Sequence, residues 1–438
     1  MTTSIKPGIM IGMDLEADEA FERLLNSEVE GKMTTVMVEQ KDRSLNIGVV
    51  GVGQAGNKLA KEFYDRGYPV VLINTATQDL KLVDVPERFK LFLDSTLGGA
   101  AKDLQIGEEA VAEYQEAILD MLKENFDPCE VLMLVVSGGG GTGSGSAPTM
   151  CRLMAQLGKP IIVMYLLPMS TEDTLAKHNA ITTLSRLADL SREGVFTSLF
   201  VVDDSKIELM FPGKSMAEFW KVANAAIVEP IHLFNKLSSQ PSKYVSLDPM
   251  DLCKVLLTSG CSLYGMTKVD NYLENEGAVA EAMVNNLENG LLAEGFDLSE
   301  ANTAGVIIVG SRETLTKIPA SYLEYGFSMI NKLSKDSLRL YRGIYEIETN
   351  DASIYVYTVF SGLGMPKKRV DELKQDAEKH MKNLEGKEDA NKVNMTIDLG
   401  NKTTTTAAAD QMFARIKNKN SAMGKLMGNK KLVDLRKK

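Results

Sequence analysis

The chain has 438 residues, 44% hydrophobic and 25% charged, a globular composition too long for one compact core. No apolar stretch reaches the roughly 20 residues of a membrane span, and the N-terminus lacks the basic start and apolar segment of a signal peptide. Four scattered cysteines (Cys129, Cys151, Cys253, Cys261) fit reduced thiols, and three distant histidines (His178, His232, His380) argue against a histidine-rich metal site, so a cytoplasmic protein without a membrane partner is expected. The net charge of −10 is uneven: residues 402–438 hold ten Lys/Arg against two Asp, which makes this tail +8 and the rest −18.

Residues 1–44 read as an N-terminal extension, with helical spacing in "DLEADEAFERLLNSE". Over 45–212, "LNIGVVG", "PVVLIN", "FKLFLD", "VLMLVVS", "KPIIVMYLLP" and "SLFVVDD" read as buried strands, with helices such as "EEAVAEYQEAILDMLKEN" between them. Near-continuous apolar strands alternating with helices predict an α/β domain, its parallel sheet covered on both faces. "KSMAEFWKVANAAIVEPIHLFNKLS" predicts one long central helix within 213–240, kinked or broken at Pro230.

A second, smaller α/β unit is expected over 241–385, with helices around 277–289 and 320–333 and the strand "TAGVIIVG". The strands "RGIYEIET" and "ASIYVYTVF" follow, and the short "ETNDA" fits a hairpin turn between them. The helix "KKRVDELKQDAEKHMKNLE" comes next, and 386–438 read as a linker, "TTTTAAAD", and a basic tail. An acidic body with a basic tail predicts that the tail meets something anionic.

Two glycine-rich loops each follow a predicted strand. "GVGQAGN" (51–57) is a G-x-G-x-x-G, shared with dinucleotide-binding folds, but the second strand ends in Asn74 where such folds place an acid for the ribose. A nucleotide-dependent oxidoreductase thereby loses its main support. "GKS" at 213–215 is no phosphate loop, because Glu208 stands where the leading glycine is required. "SGGGGTGSGSAP" (137–148) places six glycines after a strand, with a helix expected from Pro148. Unhindered amides at a helix N-terminus make an anion site, suited to a di- or triphosphate, and Thr142 and Ser144 add hydroxyl donors.

At these residues the chain resembles the tubulin/FtsZ superfamily: "GGGGTGSGSAP" looks like its signature loop and "GQAGN" like the tubulin form of its first loop. "SLDPMDL" (246–252) resembles the synergy loop, an N-x-D-x-x-D pattern carried by Asp248 and Asp251, with Ser246 in place of the usual Asn. The motifs match in order from Ile47 to about Lys367, and "LPMSTEDTLAKHNA" and the lysine-rich end look most like the TubZ group of plasmids and phages.

The resemblance implies a Rossmann-like GTPase domain, a central helix and a C-terminal activation domain, binding GTP or GDP with Mg²⁺. It assigns nucleotide contacts to Gly53, Gln54, Ala55 and Asn57 in the first loop and Asn74 in the second, where Ala76 replaces an acid common in FtsZ. Gly98, Gly99 and Ala100 fall in the γ-phosphate-sensing loop, and Gly139, Gly140, Gly141, Thr142, Gly143 and Ser144 in the signature loop. Glu172 occupies the ribose position, and Asp203 and Asn224 the positions that read guanine; Glu172 also fits an ordinary first-turn acid, and Asn224 a satisfied polar helix residue.

Catalysis is implied to be shared. Asp248 and Asp251 would polarise water over a neighbour's γ-phosphate in a head-to-tail filament, although Asp248 also reads as a plain helix cap. The implied task is segregating or positioning plasmid or phage DNA, the tail meeting DNA or a DNA-binding adaptor. An FtsZ-like division ring is the alternative, and no membrane-adaptor peptide for it is found.

Overall fold

The computed structural model describes residues 43–390, save 95–97, 211–212, 214, 291, 336–337 and 350. Residues 1–42 of the extension and 391–438 of the linker and basic tail lie outside the described residues, while 386–390, expected as linker, continue the last helix.

The chain opens with β1 (Ile47–Val52), α1 (Gly53–Asp65), β2 (Val70–Asn74), α2 (Thr77–Lys81) and the short β3 (Lys90–Phe92). Next come α3 (Leu104–Glu113), α4 (Gln115–Phe126), β4 (Val131–Ser137), α5 (Thr142–Ala155), β5 (Ile161–Leu167), α6 (Thr174–Arg192), β6 (Ser198–Asp203) and α7 (Asp204–Met210). The long helix is α8 (Met216–Leu237), followed by α9 (Pro249–Leu256), β7 (Gly260–Val269), α10 (Ala278–Glu288) and β8 (Thr303–Gly310). α11 (Arg312–Lys317), α12 (Ala320–Leu333), β9 (Arg339–Glu346), β10 (Ile354–Leu363) and α13 (Lys367–Ala390) complete the described residues. Those up to His380 form one compact unit, and the end of α13 belongs to a second.

All ten strands join one sheet in the order β3-β2-β1-β4-β5-β6-β7-β10-β8-β9. From β3 to β7 the neighbours are parallel. Every residue of β1, β2, β5 and β6 is buried, as the uninterrupted apolar runs predict for strands covered on both faces.

Several local expectations are corrected. β9 and β10 form no hairpin. β9 pairs parallel with β8, while β10 lies antiparallel between β7 and β8. Burial explains the choice: Ile354, Val356, Tyr357, Val359 and Phe360 are all buried and need a partner on each side, whereas β9 is half-exposed and takes the edge. β7 itself was not expected, because "GCSLYGMTKV" is interrupted by glycine and polar residues. The predicted helix over 108–125 breaks at Tyr114 into α3 and α4.

The helix after the signature loop begins at Thr142, six residues before Pro148. Proline cannot donate to the carbonyl four residues back, and that carbonyl, on Ser144, instead accepts the Thr183 hydroxyl at 3.1 Å. α8 likewise runs through Pro230 without breaking.

Two observations fix the polarity of the molecule. The glycine loops hang from the C-terminal ends of β1 and β4, the edge where open parallel sheets bind ligands. α8 ends at the other edge, where Asn235 acts as a peptide mimic for the chain entering β1. Its Oδ1 accepts Leu45 N at 2.7 Å and its Nδ2 donates to Leu45 O at 2.8 Å. α9 lies at this second edge too, since Ser198, the first residue of β6, donates its hydroxyl to Leu256 O at 2.8 Å.

Candidate functional site

At the C-terminal edge two helix N-termini converge. α1 starts at Gly53, directly after β1 and with φ 77°, and a Cβ there would stand 3.1 Å from Gly143 N. Gln54 and Ala55 lie in the first turn of α1, and Thr142 opens α5. The free amides and positive dipole ends of two helices beside one another favour a polyanion.

The glycines of the second loop divide by what surrounds them. A Cβ on Gly141 would stand 2.7 Å from Ala100 Cβ, and one on Gly143 2.7 Å from the Val52 carbonyl oxygen. On Gly145 it would collide with the Leu104 carbonyl. These glycines let the chain pack on itself, which corrects the reading that a ligand excludes side chains along the whole loop. Gly140 differs: among the glycines of this stretch, it alone has open space, with no atom within 4 Å of its Cβ position. The hydroxyls are also redirected. Ser144 is buried and donates to Gly138 O at 2.8 Å, while Thr142 Oγ1 lies 2.6 Å from Thr75 Oγ1.

The third loop is strained. Gly98 and Gly99 have φ 96° and 143°, and Ala101 and Lys102 also take positive values, 46° and 63°. Each such non-glycine residue costs about 1–3 kcal/mol, so the loop needs ties. Lys102 Nζ meets Asp173 Oδ2 at 2.6 Å, and Asn179 Nδ2 donates to Lys102 O at 2.7 Å. The hydrogen bond from Lys102 holds the Asp173 carboxyl below its usual range.

Glu172 stands outside α6, whose N-cap is Asp173, so it is not a first-turn residue. Its Oε2 lies 3.1 Å from the Cβ position of Gly139, against the signature loop. Asp203, at the end of β6, is buried; burial pushes its carboxyl up and Arg369, 2.9 Å away, pulls it back. Its neighbour Asp204 is buried as well, and burial, then Asp203 and Glu172, push it up to about 8. One Asp204 oxygen, Oδ1, has no hydrogen-bond partner among the described residues.

Asn57 is fully buried, with Nδ2 donating to Ile73 O at 3.3 Å and Oδ1 unpartnered among the described residues. Asn74 bonds Ala76 N at 3.2 Å and Asp79 Oδ2 at 3.4 Å. Asn224 is half-buried on α8.

Asp248 and Asp251 stand apart from all of these, at the second edge. They form a capping box on α9: Asp251 N donates to Asp248 Oδ1 at 2.8 Å and Asp248 N to Asp251 Oδ2 at 3.2 Å. The capping role is therefore real, and it leaves the second oxygen of each carboxylate outside the box. Ser246 accepts Ser242 N at 3.0 Å.

Residues 46–203 match the model of the Tubulin/FtsZ family, GTPase domain, and residues 234–374 that of the Tubulin/FtsZ-like protein TubZ-like, C-terminal domain. The chain belongs to the tubulin/FtsZ family. It is a GTPase of that filament-forming family, with a TubZ-type C-terminal half.

Among tubulin-like relatives, TubZ of Bacillus cereus is 24% identical over 363 residues, 75% of this chain and 82% of that protein. The cell division protein FtsZ of Haloferax mediterranei is 28% identical over 278 residues, 62% and 69% of the two chains. In fold, the chain is similar to a GTPγS-form protofilament of Bacillus thuringiensis serovar israelensis TubZ, with TM-score 0.70, 20% identity, and 79% and 95% of the chains covered. It is also similar to GTPγS-bound CetZ2 from Haloferax volcanii, with TM-score 0.66, 23% identity, and 78% and 100% covered.

For this tubulin-family GTPase, sequence reasoning passed over three residues that the fold brings to the edge carrying the glycine loops. Asp79, one turn into "NTATQDL", accepts Gln54 Nε2 at 3.2 Å beside Asn74. It returns to the second loop the carboxylate that Ala76 lacks. Asp204 was overlooked beside Asp203, though "DD" stood in view. Arg369 gave no local signal, since its partner Asp203 is far away in sequence.

Proposed function

We propose that this GTPase assembles head to tail and that each GTP is hydrolysed between two subunits. The observation that carries this reading is that Asp248 and Asp251 cap α9, a helix anchored at the edge of the sheet opposite the glycine loops. A 22-residue helix such as α8 is long enough, at about 33 Å, to connect the two edges. One subunit therefore holds phosphates at one edge and offers carboxylates at the other. Stacking a second copy brings the two together, and such a heterologous contact propagates into a filament. The TubZ and CetZ2 structures named above are themselves protofilaments.

In the proposed site, the amides of Gly53, Gln54, Ala55 and Gly139–Ser144 receive the phosphates. Gly98, Gly99 and Ala100 sense the γ-phosphate. Glu172 takes the ribose, and Asp203, Asp204, Asn224 and Asn57 bound the base. Magnesium asks for few carboxylates beside phosphate oxygens, and Asp79 with the Thr142 hydroxyl fits that requirement. Mg²⁺ would neutralise phosphate charge, while Asp248 and Asp251 of the adjoining subunit orient and polarise the attacking water.

The division into a GTPase domain (45–212), central helix (213–240) and activation domain (241–385) follows from this division of labour. The TubZ-like C-terminal half supports a role in moving or positioning plasmid or phage DNA in a bacterial cytoplasm, with the basic tail meeting DNA or a DNA-binding adaptor. Among the described residues, no helix is long and apolar enough to cross a membrane. Pelleting with GTP and with GDP tests assembly: polymer with GTP and little with GDP is expected, and equal behaviour in both states would overturn it. Co-sedimentation of filaments with DNA, full-length against a chain lacking 409–438, tests the cargo role.

A further inference from the structure

α13 belongs by sequence to the C-terminal half, yet its third residue reaches the nucleotide edge. Arg369 is buried, with Nε 2.9 Å from Asp203 Oδ2. Its Nη2 donates to the Pro168 carbonyl at 3.2 Å and approaches the Ser205 hydroxyl at 3.0 Å, while Nη1 meets Glu372 of its own helix at 3.2 Å. Three of these four partners sit in the two segments that carry the nucleoside contacts. Pro168 packs 3.5 Å from the Cβ position of Gly139 and begins the loop that leads to Glu172. Asp203 and Ser205 flank Asp204. Farther along α13, Asp376 pairs with Lys177 of α6 at 3.1 Å, so the helix is fastened on both sides of the Glu172 loop.

We propose that Arg369 is a positioning residue for the nucleotide, bolting the Pro168–Glu172 loop to the Asp203–Ser205 turn and so fixing the ribose contact relative to the base contact. This inference rests on the reading of this edge as the GTP site. The guanidinium meets Asp203 through Nε as an ion pair without a hydrogen bond and reaches both the Pro168 carbonyl and the Ser205 hydroxyl through Nη2, a spread of contacts that an ammonium cannot copy. Without the arginine, buried Asp203 loses its ion-pair partner and keeps the field of Lys206 and the hydrogen bond from Ser205 N, and the two segments lose their shared partner. The consequence is that the nucleotide site depends on how α13, a helix of the other half, is seated.

The test is titration of fluorescent GTP and GDP into wild type, R369Q and R369K, below the concentration at which filaments form. R369Q should weaken GTP and GDP by the same factor, about tenfold or more, because both nucleotides share ribose and base. R369K, which keeps the charge but not the fork, should fall between R369Q and wild type. Affinities of R369Q within about twofold of wild type, or weakening of GTP alone, would overturn the proposal. So would fewer binding sites with unchanged affinity, the mark of a merely structural residue. Should R369Q fail to fold, R369K decides: weakening of both nucleotides by at least about threefold upholds the inference, and wild-type affinity overturns it. Wild-type protein that binds neither nucleotide would instead overturn the proposed function, and this inference with it.

Discussion

At one edge of the sheet the functional groups are backbone amides and buried acids, set by helix starts and tight packing of the chain on itself. At the other, Asp248 and Asp251 are carboxylates at the start of a short helix, their mutual hydrogen bonds serving to cap it. The first edge is built to hold a charged ligand still. The second offers a spare oxygen from each carboxylate to whatever docks there. Under the proposed function the difference makes binding and hydrolysis separable, so that each edge can be broken alone.

The largest effect should come from Gly140→Val. Its side chain would enter open space, so the fold should survive while GTP affinity falls by about a hundredfold or more. Thermal melting and a fluorescent-GTP titration check both halves of that statement. Gly143→Val sharpens the contrast: its Cβ would press on the Val52 carbonyl, so it should cost about 1–3 kcal/mol of stability or more, and any loss of binding would come through the fold.

At the far edge, Asp251→Ala should leave GTP affinity near wild type and slow hydrolysis at least tenfold, about 1.4 kcal/mol in barrier height. Asp248→Ala loses a cap as well, worth about 1 kcal/mol. Asp248→Asn keeps the cap, so slow turnover with unchanged melting in that variant would assign the effect to the carboxylate. Steady-state hydrolysis beside calorimetric melting separates the two.

Asp204 predicts a pH dependence in nucleotide-free protein. Its native value, about 8, lies above the ordinary 3.8. Below the ordinary value both states hold the proton. Between the two values the unfolded chain ionises while the native state stays protonated, so stability falls as pH rises, and the penalty is complete above the native value. Asp204→Asn removes this term. Its melting temperature relative to wild type should rise steadily between pH 5 and 8. The smallest effect belongs to Lys177→Ala, which breaks the pair with Asp376 and should cost about 1 kcal/mol or less in a denaturant titration.

The parallel half of the fold was legible because strands buried on both faces leave uninterrupted apolar runs, and the glycine loops were legible because they follow those runs directly. The C-terminal strand order was not, since β9 and β10 are adjacent in sequence and only their burial shows which one sits inside the sheet. At the site, glycine spacing marked the loops but could not say which glycine faces a ligand and which faces a carbonyl of the same chain. Ser144 and Thr142 look alike as hydroxyl donors in sequence, yet the bond from Ser144 to Gly138 is decided by tertiary packing. Arg369 was invisible for the same reason: an ion pair between a strand end and a distant helix leaves no periodic trace.

The central claim, that one subunit's aspartates serve another subunit's nucleotide, is tested most directly by mixing two inactive variants. Gly140→Val protein keeps the aspartate edge and lacks the nucleotide edge; Asp251→Ala protein has the reverse defect. A single contact between one of each restores a complete site, so hydrolysis in the mixture should exceed the sum of the two measured separately and rise with the concentration of either. A mixture whose rate equals that sum, while the two proteins demonstrably associate, would contradict a site shared between subunits.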